Sequence, residues 1–318
     1  MIITGALGFI GSNAVRYFYN LGSDITAVVY KSVTQNQITE RLGEVGKKIH
    51  IVKRDLLLPL DDLEGVEKQD VLLNFAAVDG GLAYKKAYTA DLFSNNLKIC
   101  LNVLDYAARN KINKVLLVSS SEIYSSRTEE ITENSQIGIS WDYDTDGYRL
   151  AKWTSEFAAR EYYNQYGLST IIIRPANIYG PNDEFDDEKR MRFIPTIIKR
   201  LMVENKDVVI WGSGKQKRSF LYVEDFLEAC RLLMEKNIIL KPVNIASKNA
   251  VSLSDVSKMI INILGSERGI VIDSTKPEGA SCRMFDTKLL ESLTGFKEKI
   301  GLEEGLKKTI EYYQKKYC

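Results

Sequence analysis

Histidine is almost missing from this chain: His50 is the only one among 318 residues. It lies in "KKIHIVKRD", whose alternation reads as a strand, so a structural role is expected for it. Mechanisms that need a catalytic histidine are thereby disfavoured. Cysteine is scarce too. Cys100, Cys230, Cys282 and Cys318 lie far apart without a CxxC spacing, which fits neither a zinc site nor a disulfide framework. No metal is expected, and a reducing cytoplasm is the simplest compartment. No run of about 18 apolar residues and no charged-then-apolar leader is found, so neither a membrane span nor secretion is expected. An excess of one charge is also lacking: Lys plus Arg number 43 against 42 Asp plus Glu. Such a balance provides no global field to attract nucleic acid or an anionic membrane.

What the chain does have is strands alternating with helices, the pattern of a parallel sheet covered on both faces. "MIIT", "ITAVVY", "IHIVKR", "VLLNFAA", "KVLLVSS" and "STIIIRP" read as successive strands. Between the fourth and fifth, Leu92, Phe93, Asn96, Leu97, Cys100, Val103, Leu104 and Ala107 recur at three-and-four spacing, one face of an amphipathic helix. The expected fold is α/β, a Rossmann-type doubly wound parallel sheet with a smaller C-terminal α/β lobe. Residues 1–174 are expected to bind a dinucleotide, with returning segments near 219–246. After Pro175 the rhythm loosens into the polar "NIYGPNDEFDDEKRMRF", and 175–318 are expected mainly to hold substrate.

The first strand runs into "TGALGFIGS", with Gly5, Gly8 and Gly11 three apart. Glycines there permit a tight turn, a close approach of backbone to pyrophosphate, and close packing of the following helix on the sheet. The spacing differs by one residue from the GxGxxG fingerprint. Acidic residues ending the second strand hold the adenosine ribose of NAD. Here Val29, Tyr30, Lys31 and Ser32 stand in that place, so NADP is the expected cofactor and NAD the alternative, with Lys31 or Ser32 on the 2′-phosphate. Asp55 either contacts the adenine or begins a turn. Further on, "YRLAK" opens a helix and sets Tyr148 and Lys152 at i and i+4, on one face. A phenol with a reference pKa of about 10 is a poor acid–base group near neutrality, and a nearby ammonium brings it closer to working pH.

With "NFAA" at 74–77, "VSSSEIY", "RPANIYGP" and "RSFLYVEDF", these motifs resemble the extended short-chain dehydrogenase/reductases, a family of nucleotide-sugar epimerases, dehydratases and reductases. The resemblance covers nearly the whole chain. It implies a catalytic triad of Ser120, Tyr148 and Lys152. The cofactor site it implies takes in Gly5, Gly8, Phe9, Ile10, Gly11, Lys31, Ser32, Asp55, Leu56 and Ala76, together with Tyr148 and Lys152. Within the family, "AAVDGGLAYKKAYTADLFSNNL", "NIYGPNDEFD", "VVIWGSGKQKRSFLYVEDFLEA" and "DSTKPEGA" are similar to the motifs of GDP-L-fucose synthases. By that similarity Ser121, Asn177, Arg192, Arg200, Trp211, Arg218 and Lys276 are implied substrate contacts. Arginine suits bidentate binding of pyrophosphate. A homodimer through helices at about 90–110 and 148–167 is implied as well.

Two positions depart from that pattern. Where the epimerising members carry Cys and His, this chain has Glu122 and Arg192, and arginine cannot shuttle protons. Ser120-Ser121-Glu122 instead resembles the Thr-Ser-Glu of nucleotide-sugar dehydratases. The glutamate removes a C5 proton, orients a sugar hydroxyl, or caps the next turn. Three functions follow. An NADPH-dependent 4-keto reduction of a GDP-linked sugar is preferred, with a 4-epimerase or 4,6-dehydratase using Glu122 as the alternative. A non-enzymatic dinucleotide sensor is the third, although a sensor can dispense with Tyr148 and Lys152, and both are present.

Overall fold

A computed structural model describes residues 1–60, 63, 70–127, 130–140, 146–236, 238–276 and 280–318. The large sheet has seven strands, all parallel. Ile2–Thr4 lies inside it, flanked on one side by Thr26–Val29 and then His50–Lys53. On the other side stand Val71–Asn74, Lys114–Val118, Thr170–Pro175 and, at the edge, Val243–Ile245. Six of these are the strands expected from the alternation, each trimmed at its ends. The seventh, three residues long, lies within a chain segment too short and mixed to show a period of its own. Ile2, Ile3, Ala27, Leu73, Val115 and Leu116 are fully buried, as continuous apolar strands covered on both faces require.

The order reverses between Ile2–Thr4 and Val71–Asn74, and the carboxyl ends of the strands at such a switch point border a crevice. Across it Thr4 Oγ1 donates to Asn74 Oδ1 at 2.7 Å. Ser120, Glu122 and the glycine loop all leave the sheet at this same edge.

Two long helices, Thr89–Arg109 and Gly147–Tyr166, pack side by side on one face. In the first, Leu92, Asn96, Cys100, Val103, Leu104 and Ala107 are buried as expected, while Phe93 and Leu97 are half-buried. The second begins where the first begins: Gly147 N donates to Thr89 Oγ1 at 2.7 Å. A Cβ on Gly147 would stand 1.7 Å from the Thr89 carbonyl oxygen. Backbone cannot yield there, so glycine sets the crossing and with it the position of Tyr148.

Beneath the crevice lies a buried ion pair. Arg174 on the sixth strand donates from Nη2 to Glu156 Oε2 at 2.6 Å and from Nε to Oε1 at 2.9 Å, a two-pronged contact. Ser119 Oγ donates to the same Oε1 at 2.5 Å, and Arg174 Nη1 to Tyr124 Oη at 2.7 Å. Tyr124 donates in turn to Asn244 Oδ1 at 2.7 Å. Sheet, helix and the loop after Lys114–Val118 are thereby tied together.

The remaining strands form smaller sheets. Ala250–Ser252, Lys217–Tyr222, Cys282–Phe285 and Glu130–Ile131 lie in that order, with Asn177–Tyr179 also paired to Lys217–Tyr222. Val208–Trp211 pairs with Ile270–Asp273. Among the described residues no helix is long and apolar enough to cross a membrane.

Two outcomes are expected. Gly147→Ala overpacks a contact with no room, and denaturant unfolding should show a loss of at least ~1–3 kcal/mol. Arg174→Met leaves the Glu156 carboxylate buried without its partner, and the same measurement should show a loss of ~3–5 kcal/mol.

Candidate active site

Ser120 ends the fifth strand's continuation and caps a single 3₁₀ turn, Ser121–Ile123, its Oγ accepting from Glu122 N at 3.1 Å. Tyr148, in the first turn of its helix, lies beside the Ser120 hydroxyl, which pulls its phenol down. Lys152, one turn on, donates to the Val118 carbonyl at 2.7 Å, and its Nζ lies 5.6 Å from the Tyr148 ring centroid. All three are buried. The structure thus brings together the three residues that the motifs implied.

Glu122 neither stands free nor merely caps a turn. Both its oxygens accept from Lys85 Nζ, each at 2.7 Å. Lys85 is on a short helix, Leu82–Ala87, and is only 5% exposed. Its ammonium also lies 3.0 Å from Asp79 Oδ1 and 4.1 Å from the centroid of the Tyr148 ring. Glu122 keeps 45% of its side chain exposed, so its outer edge faces the crevice while its charge is held from within. Arg149, next to Tyr148, donates from Nε to the Glu122 carbonyl at 2.8 Å. Arg283 donates to the Ser121 carbonyl at 2.5 Å. Two guanidiniums therefore fix the backbone of the serine–glutamate turn.

The electrostatics follow from this packing. Burial raises the Tyr148 phenol well above its ordinary value and Asp79 and Glu122 push the same way, while Lys85 and the Ser120 hydroxyl pull it down. Burial lowers the Lys152 ammonium. Burial also opposes the charge on Lys85, yet Asp79 and Glu122 outweigh it and hold the ammonium well above its usual range. Burial pushes the Arg283 guanidinium down to about 10, against Glu122 and together with Arg218 and Arg149. The lysine that lowers the tyrosine is Lys85 rather than the expected Lys152, and burial with Asp79 and Glu122 keeps the phenol above its ordinary value instead of bringing it toward working pH.

Arg192 caps the helix Phe193–Met202 and pairs with the buried Asp183 at 2.7 Å, its guanidinium 5.0 Å from the Phe9 ring centroid. It joins the glycine loop to the substrate side. Arg218 and Arg283 are direct partners in adjacent parallel strands, which places two guanidiniums side by side, and Arg218 donates to Ala280 O at 2.8 Å. Trp211 is 42% exposed, with Lys276 Nζ 6.0 Å from its ring. Residues 277–279 of the motif that follows lie outside the described residues. Asn177 donates to the Ser219 carbonyl at 3.0 Å, and Ser121 is buried beneath Arg283. Arg200 donates from Nε to Asp207 O at 2.6 Å.

The cofactor end fits a dinucleotide. Gly5 adopts φ +63°, and a Cβ there would meet Ala76 N at 2.7 Å across the switch point. A Cβ on Gly11 would stand 2.0 Å from Gly5 O. Gly8 caps the helix Phe9–Asn20 with no side chain on the helix N–H groups and no acidic residue in the first turn, as a pyrophosphate requires. Phe9 and Ile10 are half-exposed in that first turn, and Leu56 and Ala76 are half-buried at neighbouring strand ends. Lys31 and Ser32 are exposed, and Lys31 Nζ pairs with Asp55 Oδ2 at 2.9 Å. Asp55 also begins a turn, its Oδ1 accepting from Leu57 N at 3.1 Å.

Lys85, Asp79, Arg149 and Arg283 are the residues that sequence reasoning missed. Lys85 and Asp79 lie within "AAVDGGLAYKK", but adjacent lysines on a short polar helix read as solvated. The available signal was Glu122 itself, since a carboxylate beside a buried serine calls for a counter-charge.

Comparison with known proteins agrees with this arrangement. The family model described as "NAD dependent epimerase/dehydratase family" matches residues 1–246. A dTDP-4-dehydro-6-deoxy-D-allose reductase of Streptomyces sp is 31% identical, over 99% of this chain and 96% of that protein. GDP-L-fucose synthase 1 of Arabidopsis thaliana is 28% identical, over 100% of this chain and 94% of the relative. The crystal structure of a UDP-N-acetylglucosamine 4-epimerase from Methanobrevibacter ruminantium M1, at 24% identity, has the same fold with a TM-score of 0.84 over 99% of this chain and 97% of that one. With the glycine cradle and the Ser120–Tyr148–Lys152 cluster in place, these matches establish that the chain belongs to the NAD dependent epimerase/dehydratase family.

Proposed function

We propose that this enzyme uses NADPH to reduce the 4-keto group of a nucleoside-diphosphate-linked 6-deoxyhexose, with GDP the nucleotide its motifs point to, and that it leaves C3 and C5 unchanged. The observation that carries this reading is the pairing of the two positions where a carbon acid–base couple would stand. Both Glu122 oxygens are bound by Lys85, and Arg192 is bound by Asp183. Accepting a carbon-bound proton would cost Glu122 its ion pair, and a guanidinium does not accept one. What remains is a ketone reductase. Two relatives support the class of substrate, since one is named a dTDP-4-keto-sugar reductase and another a GDP-L-fucose synthase.

Residues 1–174 with 219–246 serve the cofactor in this reading, and the rest of 175–318 serves the nucleotide sugar. Arg218, Arg283, Trp211 and Lys276 form its nucleotide and diphosphate end. The bound dinucleotide supplies hydride to the carbonyl carbon. Ser120 donates a hydrogen bond to the carbonyl oxygen, and Tyr148 gives that oxygen its proton. Lys152, held by the Val118 carbonyl, orients the cofactor beside them. The exposed edge of Glu122 accepts a hydrogen bond from a sugar hydroxyl. Two copies of the chain are proposed to pair through the long helices, where Leu150, Phe157, Tyr163 and Tyr166 are exposed.

The experiment is product analysis after incubation with GDP- or dTDP-linked 4-keto-6-deoxyhexose and NADPH in deuterated water. A reduced sugar with no deuterium at C3 or C5 is expected. Deuterium at C5 that disappears in Glu122→Gln would instead support the dehydratase or epimerase alternative. Tyr148→Phe should bind substrate yet lose about 10²- to 10⁴-fold in rate. For the cofactor, Lys31→Ala should lower the ratio of kcat/KM for NADPH over NADH by roughly tenfold, the loss of one charged hydrogen bond. An unchanged ratio would remove Lys31 from the 2′-phosphate site.

A further inference from the structure

Lys85 is not accounted for by the Ser120–Tyr148–Lys152 triad. Its ammonium is buried and meets three groups at once, and one of them is the ring of the catalytic tyrosine. A side chain with a long flexible stem is ordinarily solvated. Placing it here requires partners that repay its desolvation, and Asp79 with Glu122 supply two negative charges for one positive. The arrangement is more than a structural ion pair because of where it sits. Both carboxylates act on the same phenol, and each disfavours its ionised form. Without a cation between them, a buried tyrosine beside two carboxylates would be a very weak acid.

We propose that Lys85 is a positioning residue of the catalytic centre, which offsets the charge of Asp79 and Glu122 at the face of the Tyr148 ring so that the phenol can give up its proton, and which holds Glu122 with its outer edge toward the sugar. The charged groups facing Tyr148 come from five elements. Asp79 lies on the loop after Val71–Asn74, Lys85 on its short helix, and Glu122 on the serine turn. Lys152 is on the tyrosine's own helix, and Arg192 approaches from the cap of Phe193–Met202. Asp146, at the helix cap, faces Lys85 and Glu122. Lys85 lies closer to the ring than Lys152 does, at 4.1 against 5.6 Å.

The sign of each change is determined by charge. Removing Lys85 leaves two carboxylates unopposed and should move the tyrosine's ionisation to higher pH. Removing the charge of Asp79 or Glu122 leaves one carboxylate against one ammonium in place of two and should move it lower. An opposite charge at this distance moves such a group by about 1 to 3 pH units. A scaffold role predicts no such opposition of signs.

The test uses the full chain with NADP⁺, carrying tyrosine labelled with ¹³C at Cζ, the Tyr148 resonance being the one lost in Tyr148→Phe. Its titration should shift upward in Lys85→Met and downward in both Asp79→Asn and Glu122→Gln, with Lys85→Arg restoring the wild-type position. Titrations that all move one way, or none that moves, would overturn the proposal. If Lys85→Met fails to fold, Lys85→Gln takes its place, and an upward shift there against the downward shift of the carboxylate variants decides it. The same proteins are then assayed with GDP- and dTDP-linked 4-keto-6-deoxyhexoses and NADPH, an arm that rests on the proposed reduction. There the high-pH fall in kcat/KM should move in the same directions. Shifted titrations with neither sugar reduced would sink the reductase reading and leave Lys85 assigned, whereas reduction with unmoved titrations would do the reverse.

Discussion

The two-pronged contact between Arg174 and Glu156 is the constraint on which the rest of the site depends. Glu156 lies two turns beyond Tyr148 and one beyond Lys152, so the three side chains form a single stripe that faces the sheet. Arg174 grips the end of that stripe from the sixth strand, and the Ser119 hydroxyl bonds to the same carboxylate from the fifth. The serine turn and the tyrosine helix are therefore registered against one another through a single buried group. Such a pair gains little net stability over apolar packing, because two charges have been desolvated. What it provides is orientation: a carboxylate with three donors on it has one geometry.

A second layer of charge sits above the first. Lys85, Asp79 and Glu122 form a compact triad whose members come from a short helix, a loop and a 3₁₀ turn at the crevice edge. The two layers differ in what they leave open. Glu156 is almost fully enclosed, whereas nearly half of the Glu122 side chain is exposed. One carboxylate is enclosed and the other opens to the crevice, although both pair with a buried cation. Burial of the partner, rather than of the carboxylate, is what the two share.

Much of the fold was legible because parallel strands covered on both faces are written as apolar runs, and because a helix that covers them repeats at three and four. The strand Val243–Ile245 was missed, since three residues cannot show a period. Of the candidate cluster, the common helix face of Tyr148 and Lys152 could be read from spacing, and Ser120 was implied by the family resemblance. Lys85 could not, because its burial is a tertiary fact: the same "KK" on another surface would be a solvated pair. Arg283 was hidden in the same way, placed beside Arg218 only by the pairing of strands 65 residues apart. Arg200, singled out by its motif, instead closes a loop onto Asp207. Local periodicity identifies what an element is, and only the packing of distant elements reveals which charges must answer one another.

The adenosine end shows the same logic in a weaker form. Lys31 and Asp55, read from the sequence as contacts to different parts of the cofactor, are bonded to each other across the ends of neighbouring strands. An incoming 2′-phosphate must compete with Asp55 for the ammonium, while a ribose without it would meet an aspartate already neutralised. Because the lysine is more than half exposed, the pair is screened by water and readily exchanged. Contrast this with Lys85, whose three neighbours hold it in a single place. The chain thus keeps one cation rigid inside the crevice and another loose at its rim, so that in the proposed function the proton transfer would be governed by buried charge and the choice of cofactor by exposed charge.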